Sequence, residues 1–295
     1  MDLDKFIITI FCVVDDSMQE ILNGKRLRQR GPMPLLLDSE VITMEVVGEF
    51  LQICQDKMLY WYFKTHYRDF FPVLGKVHRT TFTRQAANLS KIKEKMWQHI
   101  LDFVEHDFYI TIVDSFPVQV CQFARSSRCQ RFKGEATFGK DRMIGQTFYG
   151  FRLHVCISTD GLITRFDIAP GNEQDIRIVP ELFEGIKGFG IGDRNYWAPI
   201  LTEELLSEAI AFGAPYKRAS SDPWPERSKY LNHIRHIIET VFSQLTERYH
   251  MKKVWARDTW HLGNRFIRKA LSHTLAFLLN KELGNPPLQF EKLLA

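Results

Sequence analysis

Phe108-Tyr109-Ile110-Thr111-Ile112-Val113-Asp114 is the stretch whose reading decides the fold. β-branched and aromatic side chains fill it, which predicts a buried strand that ends on an acid. Working downstream, a basic loop carrying Gly134 and Gly139 leads into two further predicted strands, at 147–158 and 162–168. Asp160-Gly161 between those two is a hairpin turn signal. A helix near 178–183, a glycine-rich strand at 189–193, a helix at 200–209 and a strand at 210–216 follow. A hairpin followed by alternating helices and strands predicts an α/β fold, with a mixed sheet flanked by helices.

Upstream, residues 1–104 read as helical. Ser39-Glu40 opens a stretch with Val41, Met44, Val47, Phe50 and Leu51 near helical spacing. A second helix is expected after Arg79-Thr80-Thr81 and a third over 91–104. Beyond the sheet, 217–228 holds two prolines and is expected to be a loop; helices are expected at 230–248 and 261–283. The segments are therefore 1–104, 105–283 and a tail at 284–295.

The 295 residues are 45% hydrophobic and 25% charged, a globular profile that excludes collagen-like and wholly disordered chains. The longest apolar run, Phe6 to Val14, is far short of the roughly 20 residues a bilayer requires. Met1-Asp2-Leu3-Asp4 lacks the basic start of a signal peptide, so a cytoplasmic location without membrane contact is expected. Five cysteines without a Cys-x-x-Cys pair are expected to be reduced, mostly buried thiols. The net charge is only +4, but 217–270 holds 12 Lys and Arg against 5 Asp and Glu, and 125–152 holds 7 against 2. Clustering of this kind suits a polyanion such as DNA, or a solvated basic face.

Three acids stand in matching contexts. Asp114 closes one apolar strand and Asp193 closes Gly190-Ile191-Gly192. Carboxyl ends of strands are where open α/β sheets hold ligands. Glu239 follows Ile237-Ile238 and precedes Val241-Phe242 on a helix, where an acid in an apolar face needs a partner or a metal. Clustered oxygen ligands favour Mg²⁺, with Mn²⁺ as a substitute, over zinc. Taken singly, a strand-end Asp is more often a turn former or helix cap, and an apolar-flanked Glu on a helix more often a salt-bridge partner.

Together, Ile112-Val113-Asp114-Ser115, Gly190-Ile191-Gly192-Asp193-Arg194-Asn195-Tyr196 and Arg235-His236-Ile237-Ile238-Glu239-Thr240-Val241-Phe242 resemble the DDE signature of insertion-sequence transposases. Between the acids lie 78 and 45 residues. The blocks Tyr149-Gly150-Phe151-Arg152-Leu153-His154 and Pro170-Gly171-Asn172-Glu173-Gln174-Asp175 are similar to the family's second and third strands. The nearest resemblance is to the nine-eighty-two family of bacterial insertion sequences, a relative of the family-four group. Departures from the related group's pattern are Asn232 and Thr246, where Tyr and Lys are usual, with Arg248 or Lys252 as substitute cations. Asn195 replaces a glycine, and Asn tolerates left-handed backbone.

This resemblance implies a ribonuclease H-like catalytic core behind a helical N-terminal DNA-binding domain. It implies two Mg²⁺ ions held by Asp114, Asp193 and Glu239, and cleavage of double-stranded DNA at terminal inverted repeats. Joining of the 3′-hydroxyl ends to target DNA by a dimer would follow, in a bacterial or archaeal nucleoid. The alternatives are a ribonuclease H-like nuclease without strand transfer and a catalytically silent DNA-binding derivative.

Arg235, one turn before Glu239, is a candidate grip on the scissile phosphate or an ion-pair partner of Glu239. Thr81, Arg84, Gln85 and Asn88 would share a face of a base-reading helix, or of an ordinary surface helix. Arg125, Arg128, Arg131 and Lys133 are candidate phosphate contacts. Trp255 and Trp260 are expected in the core, with stacking on an unpaired base as the alternative. His154 is expected to be structural, with an approach to the acidic cluster as the alternative. Turn chemistry accounts for Glu173 and Asp175, with contact to the active site as the alternative for Asp175. Gly188-x-Gly190-x-Gly192 opens no helix, so it is not a nucleotide loop. Ser115 and Cys121 lack the setting of a hydrolase nucleophile.

Overall fold

Asp2 starts the first helix by accepting a hydrogen bond from the Lys5 amide at 2.7 Å, and α1 (Leu3–Leu22) ends where Asn23 turns left-handed. The apolar run too short for a membrane becomes a buried helix face, with Phe6, Ile7, Ile10 and Val14 inside. Four more helices follow: α2 (Asp38–Phe50), α3 (Asp56–His66), α4 (Arg79–Asn88) and α5 (Ser90–Phe103). The computed structural model describes residues 1–141 and 144–294. These helices form one compact unit, Met1–Val104 with Glu247–His250 and Trp260–Ala295; the second unit is Glu105–Thr246 with Met251–Thr259.

The last long helix, Thr259–Glu282, thus packs almost wholly in the first unit, whereas the sequence reading groups it with the strands. The reason is electrostatic. α2 is buried nearly all round and carries Glu45 and Glu49, each 1% exposed. The last long helix brings Arg268 to Glu49 (2.5 Å), Glu45 (3.2 Å) and Asp56 (2.8 Å), and Lys269 to Glu49. Lys93 on α5 completes the network at 2.8 Å from Glu45. Burial pushes the Glu49 carboxyl up, but Arg268 and Lys269 outweigh it and hold the group below its ordinary range.

In the second unit, β1 (Ile110–Cys121) runs well past Asp114. β2 (Thr137–Asp141) lies inside the stretch expected to be a basic loop. β3 (Gln146–Ile157) and β4 (Ile163–Pro170) form the predicted hairpin, with Gly161 at φ 91° in the turn. α6 (Asp175–Phe183), β5 (Gly188–Ile191), α7 (Pro199–Ser207) and β6 (Ile210–Gly213) alternate as expected. α8 (Pro225–Ser243) begins inside the segment expected to be a loop, because Pro225 suits a first helical turn.

The sheet order is β2-β3-β1-β5-β6, with β4 also on β3. β1 and β3 pair antiparallel, whereas β1–β5 and β5–β6 pair parallel. Alternation along β1 divides the faces. Val113 joins a buried cluster with Val179, Leu182, Phe183 and Leu205 of α6 and α7. Phe116 meets Phe242 of α8, ring centroids 4.8 Å apart, on the other face.

Arg268→Ala takes one of two cations from each of two buried carboxylates, leaving Lys269 with Glu49 and Lys93 with Glu45. It is expected to cost about 3 kcal/mol in urea denaturation. The Glu49 contribution is present above pH 4.5, its ordinary value, and is lost as the pH falls below it. Wild-type stability should therefore drop more steeply on acidification than that of the variant.

Candidate active site

The parallel ladder of β1 and β5 ends at Ile112 opposite Ile191. Two residues further along each chain stand Asp114 and Asp193. Neighbouring strands run about 4.8 Å apart, and residues two apart share a face, so this register sets the two acids side by side. Glycine makes the approach possible. A Cβ at Gly192 would lie 2.7 Å from the Tyr196 Cβ, and one at Gly190 would lie 2.6 Å from the Phe183 and Phe212 rings.

Each carboxylate is held. Asp114 Oδ1 accepts from the Ser115 amide at 2.7 Å, and its Oδ2 accepts from Arg235 Nη2 at 2.7 Å. Asp193 accepts from the Asn195 amide at 2.8 Å and from its side-chain Nδ2 at 2.7 Å. Asn195 keeps negative φ and serves as this clamp rather than as a left-handed turn residue. Burial and the neighbouring charge of Asp193 push the Asp114 carboxyl up to about 6, against the pull of Arg235. Burial pushes Asp193 up as well. Two half-buried acids that both draw on the charge of Arg235 form a site short of positive charge among the described residues.

Glu239 lies elsewhere. The buried stripe of α8 runs through Leu231, Ile238 and Val241, and Glu239 falls beside it with its side chain 69% exposed. Its nearest basic partner is His236 at 3.8 Å, not Arg235. The expectation of an acid enclosed in an apolar face is thus corrected: Ile237 and Val241 flank Glu239 in sequence, but the helix turns about 100° per residue. Among the described residues, no three His, Cys, Asp or Glu side chains converge on a point able to hold a metal.

Several sequence candidates are committed to the fold. Gln85 is 7% exposed and donates to Leu36 O (2.9 Å) and Asp38 Oδ1 (2.7 Å), so it cannot join Thr81, Arg84 and Asn88, which are exposed on α4. Arg131 donates to the carbonyls of Val254 (3.2 Å) and Val120 (2.6 Å). Arg125, Arg128 and Lys133 are exposed. Arg248 donates to Phe50 O and stacks on that ring. Trp255 and Trp260 are 39% and 48% exposed rather than core residues. Of the cysteines only Cys54 and Cys156 are buried.

Four residues beside the acidic pair escaped the sequence reading as a group: Ser115, Arg152, His154 and Asp175. The available signal was a polar serine after Asp114 and an acid opening the helix after Pro170-Gly171.

Residues 105–258 match the model of a known family, the transposase DDE domain. The match covers just over half of the chain, which therefore belongs to that family of metal-dependent DNA-processing enzymes. No curated protein and no solved structure matches the chain.

Asp114 gives a pH signature. The folded carboxyl keeps its proton up to about pH 6, whereas the unfolded one releases it near 3.8. Ionisation therefore favours unfolding across that window. Without divalent ions, wild-type stability relative to Asp114→Asn should fall by up to about 3 kcal/mol between these limits, measured by denaturation at stepped pH.

Proposed function

We propose that this chain is a transposase that binds the terminal inverted repeats of an insertion sequence, cleaves DNA there and joins the 3′ ends to target DNA. The observation that carries the reading is the side-by-side placement of Asp114 and Asp193, with Arg235 against them, within a stretch that matches the DDE domain. The strand order, antiparallel on one side of β1 and parallel on the other, supports a ribonuclease H-like core. The exposed Arg84 and Asn88 on α4 support DNA contact by the N-terminal unit.

The acidic pair fits hard divalent cations by its donors and by its shortage of positive charge. Asp114 and Asp193 would hold Mg²⁺ or Mn²⁺, with Glu239 as the third carboxylate. Glu239 lies one turn beyond Arg235 on α8 and is exposed, so joining the pair would require it to move on binding DNA or metal. When bound, two such ions supply Lewis-acid activation of the attacking and leaving oxygens.

The protein's own groups do the rest by positioning and charge. Asn195 fixes Asp193, and the Ser115 amide fixes Asp114. Arg235 neutralises Asp114 until a cation takes its place. Its guanidinium would then be free to hold the scissile phosphate, and its Nε, buried without an acceptor among the described residues, has a hydrogen bond to give. Arg125, Arg128 and Lys133 supply further phosphate contacts.

Asp193→Asn should abolish Mg²⁺-dependent cleavage of a duplex bearing the element's end while gel-shift binding persists; cleavage at the wild-type rate would refute the assignment. Glu239→Gln should leave the melting temperature of the DNA-free protein unchanged, since the side chain is exposed, yet stop cleavage. Undiminished cleavage would remove Glu239 from the site. Arg235→Gln should bind Mn²⁺ more tightly in the absence of DNA, because the competing cation is gone, and cleave more slowly. A precut end offered with target DNA separates a transposase from a nuclease lacking strand transfer.

A further inference from the structure

Beyond Ile112, β1 has no parallel partner, because β5 stops at Ile191. The amide of Ser115 closes on Asp114 Oδ1 instead of a strand carbonyl. One oxygen of a candidate metal-binding carboxylate is therefore oriented by a residue on an unladdered edge. What holds that residue in place lies on the opposite face of the sheet. Ser115 Oγ donates to Asp175 Oδ1 at 2.9 Å. Arg152 Nη1 donates to the same hydroxyl at 3.2 Å, and Arg152 Nη2 anchors to Lys140 O at 2.9 Å. The Asp175 carboxylate also has Arg152 Nε at 3.7 Å and the fully buried His154 Nδ1 at 3.9 Å. Asp175 opens α6, where a helix N-terminus favours its negative charge. It lines, with Asn195, a polar cavity of about 500 Å³. Asn195 is the residue that clamps Asp193.

We propose that Asp175 is a positioning residue of the acidic site, acting through Ser115 to orient the Asp114 carboxylate. The inference rests on the reading of Asp114 and Asp193 as metal ligands. Asp175 itself does not ligate. It fixes the Ser115 side chain, Ser115 fixes the Asp114 carboxylate, and a displacement of about 1 Å at such a site is worth on the order of a hundredfold in rate. The task falls to the accepting oxygen and not to the negative charge, so an amide at 175 can take it over.

The test is Mn²⁺ titration of the DNA-free full chain, followed by paramagnetic relaxation, with thermal unfolding alongside. Asp175→Ala and Ser115→Ala should each weaken Mn²⁺ binding about tenfold. The double variant should be no weaker than either alone, as expected for two residues acting in one chain of contacts. Asp175→Asn, which keeps an oxygen for Ser115, should recover most of the affinity lost in Asp175→Ala. Ser115→Ala leaves α6 and its acid intact, so it serves where Asp175→Ala fails to fold. Wild-type Mn²⁺ affinity in a folded Asp175→Ala or Ser115→Ala protein would overturn the proposal. So would effects that multiply in the double variant, or an Asp175→Asn protein as weak as Asp175→Ala. Mn²⁺ binding that survives replacement of both Asp114 and Asp193 by Ala would instead overturn the site reading beneath it.

Discussion

Three residue pairs of parallel ladder, Ile110 with Phe189, Thr111 with Gly190 and Ile112 with Ile191, carry the candidate site. They join segments almost eighty residues apart and set Ile112 level with the end of β5 at Ile191, so that the next two residues of each chain bring Asp114 beside Asp193. A slip of one residue would send one acid to the opposite face. Gly190 in β5 lets the rings of Phe183 and Phe212 close on the strand, and Gly192 just beyond it admits the side chain of Tyr196. The apolar cluster beneath then fixes the register by its own packing.

Charge is handled in opposite ways in the two units. In the first, Glu45, Glu49, Lys93, Arg268 and Lys269 are buried and matched, so the network holds helices together at fixed orientation. In the second, two acids share Arg235, and burial leaves both carboxyls more basic than usual. A balanced network favours one arrangement. An unbalanced pair carries a standing demand for a cation, which an arginine meets provisionally and a divalent ion meets better. That imbalance is the physical argument for the proposed metal site at Asp114 and Asp193.

Periodicity exposed most of the elements, because apolar burial writes itself into local spacing. It missed β2, whose Thr-Phe-Gly-Lys-Asp sequence is a poor strand former and pairs only because β3 offers an edge. It also missed the start of α8 at Pro225. Side-chain roles were harder. Gln85 reads as a DNA contact beside Arg84, but it donates to groups near 36–38, far along the chain. Arg131 reads as a phosphate contact and is taken by two carbonyls.

Asp114 and Asp193 were legible because an acid directly after an apolar β-branched or glycine-rich run is a local pattern that the amino-acid order alone marks, although β1 continues past Asp114 to Cys121. Arg235 and Glu239 were legible as residues on one helix, since four-residue spacing is a local property too. Which of them faces the acidic pair was not. That depends on the rotation of α8 about its axis, set by Phe242 against Phe116 and Ile238 in the core. The packing turns Arg235 inward and leaves Glu239 at the rim. The tether from Asp175 to Ser115 likewise exists only after folding, because it spans 60 residues and joins a helix start to the middle of a strand that no spacing rule connects.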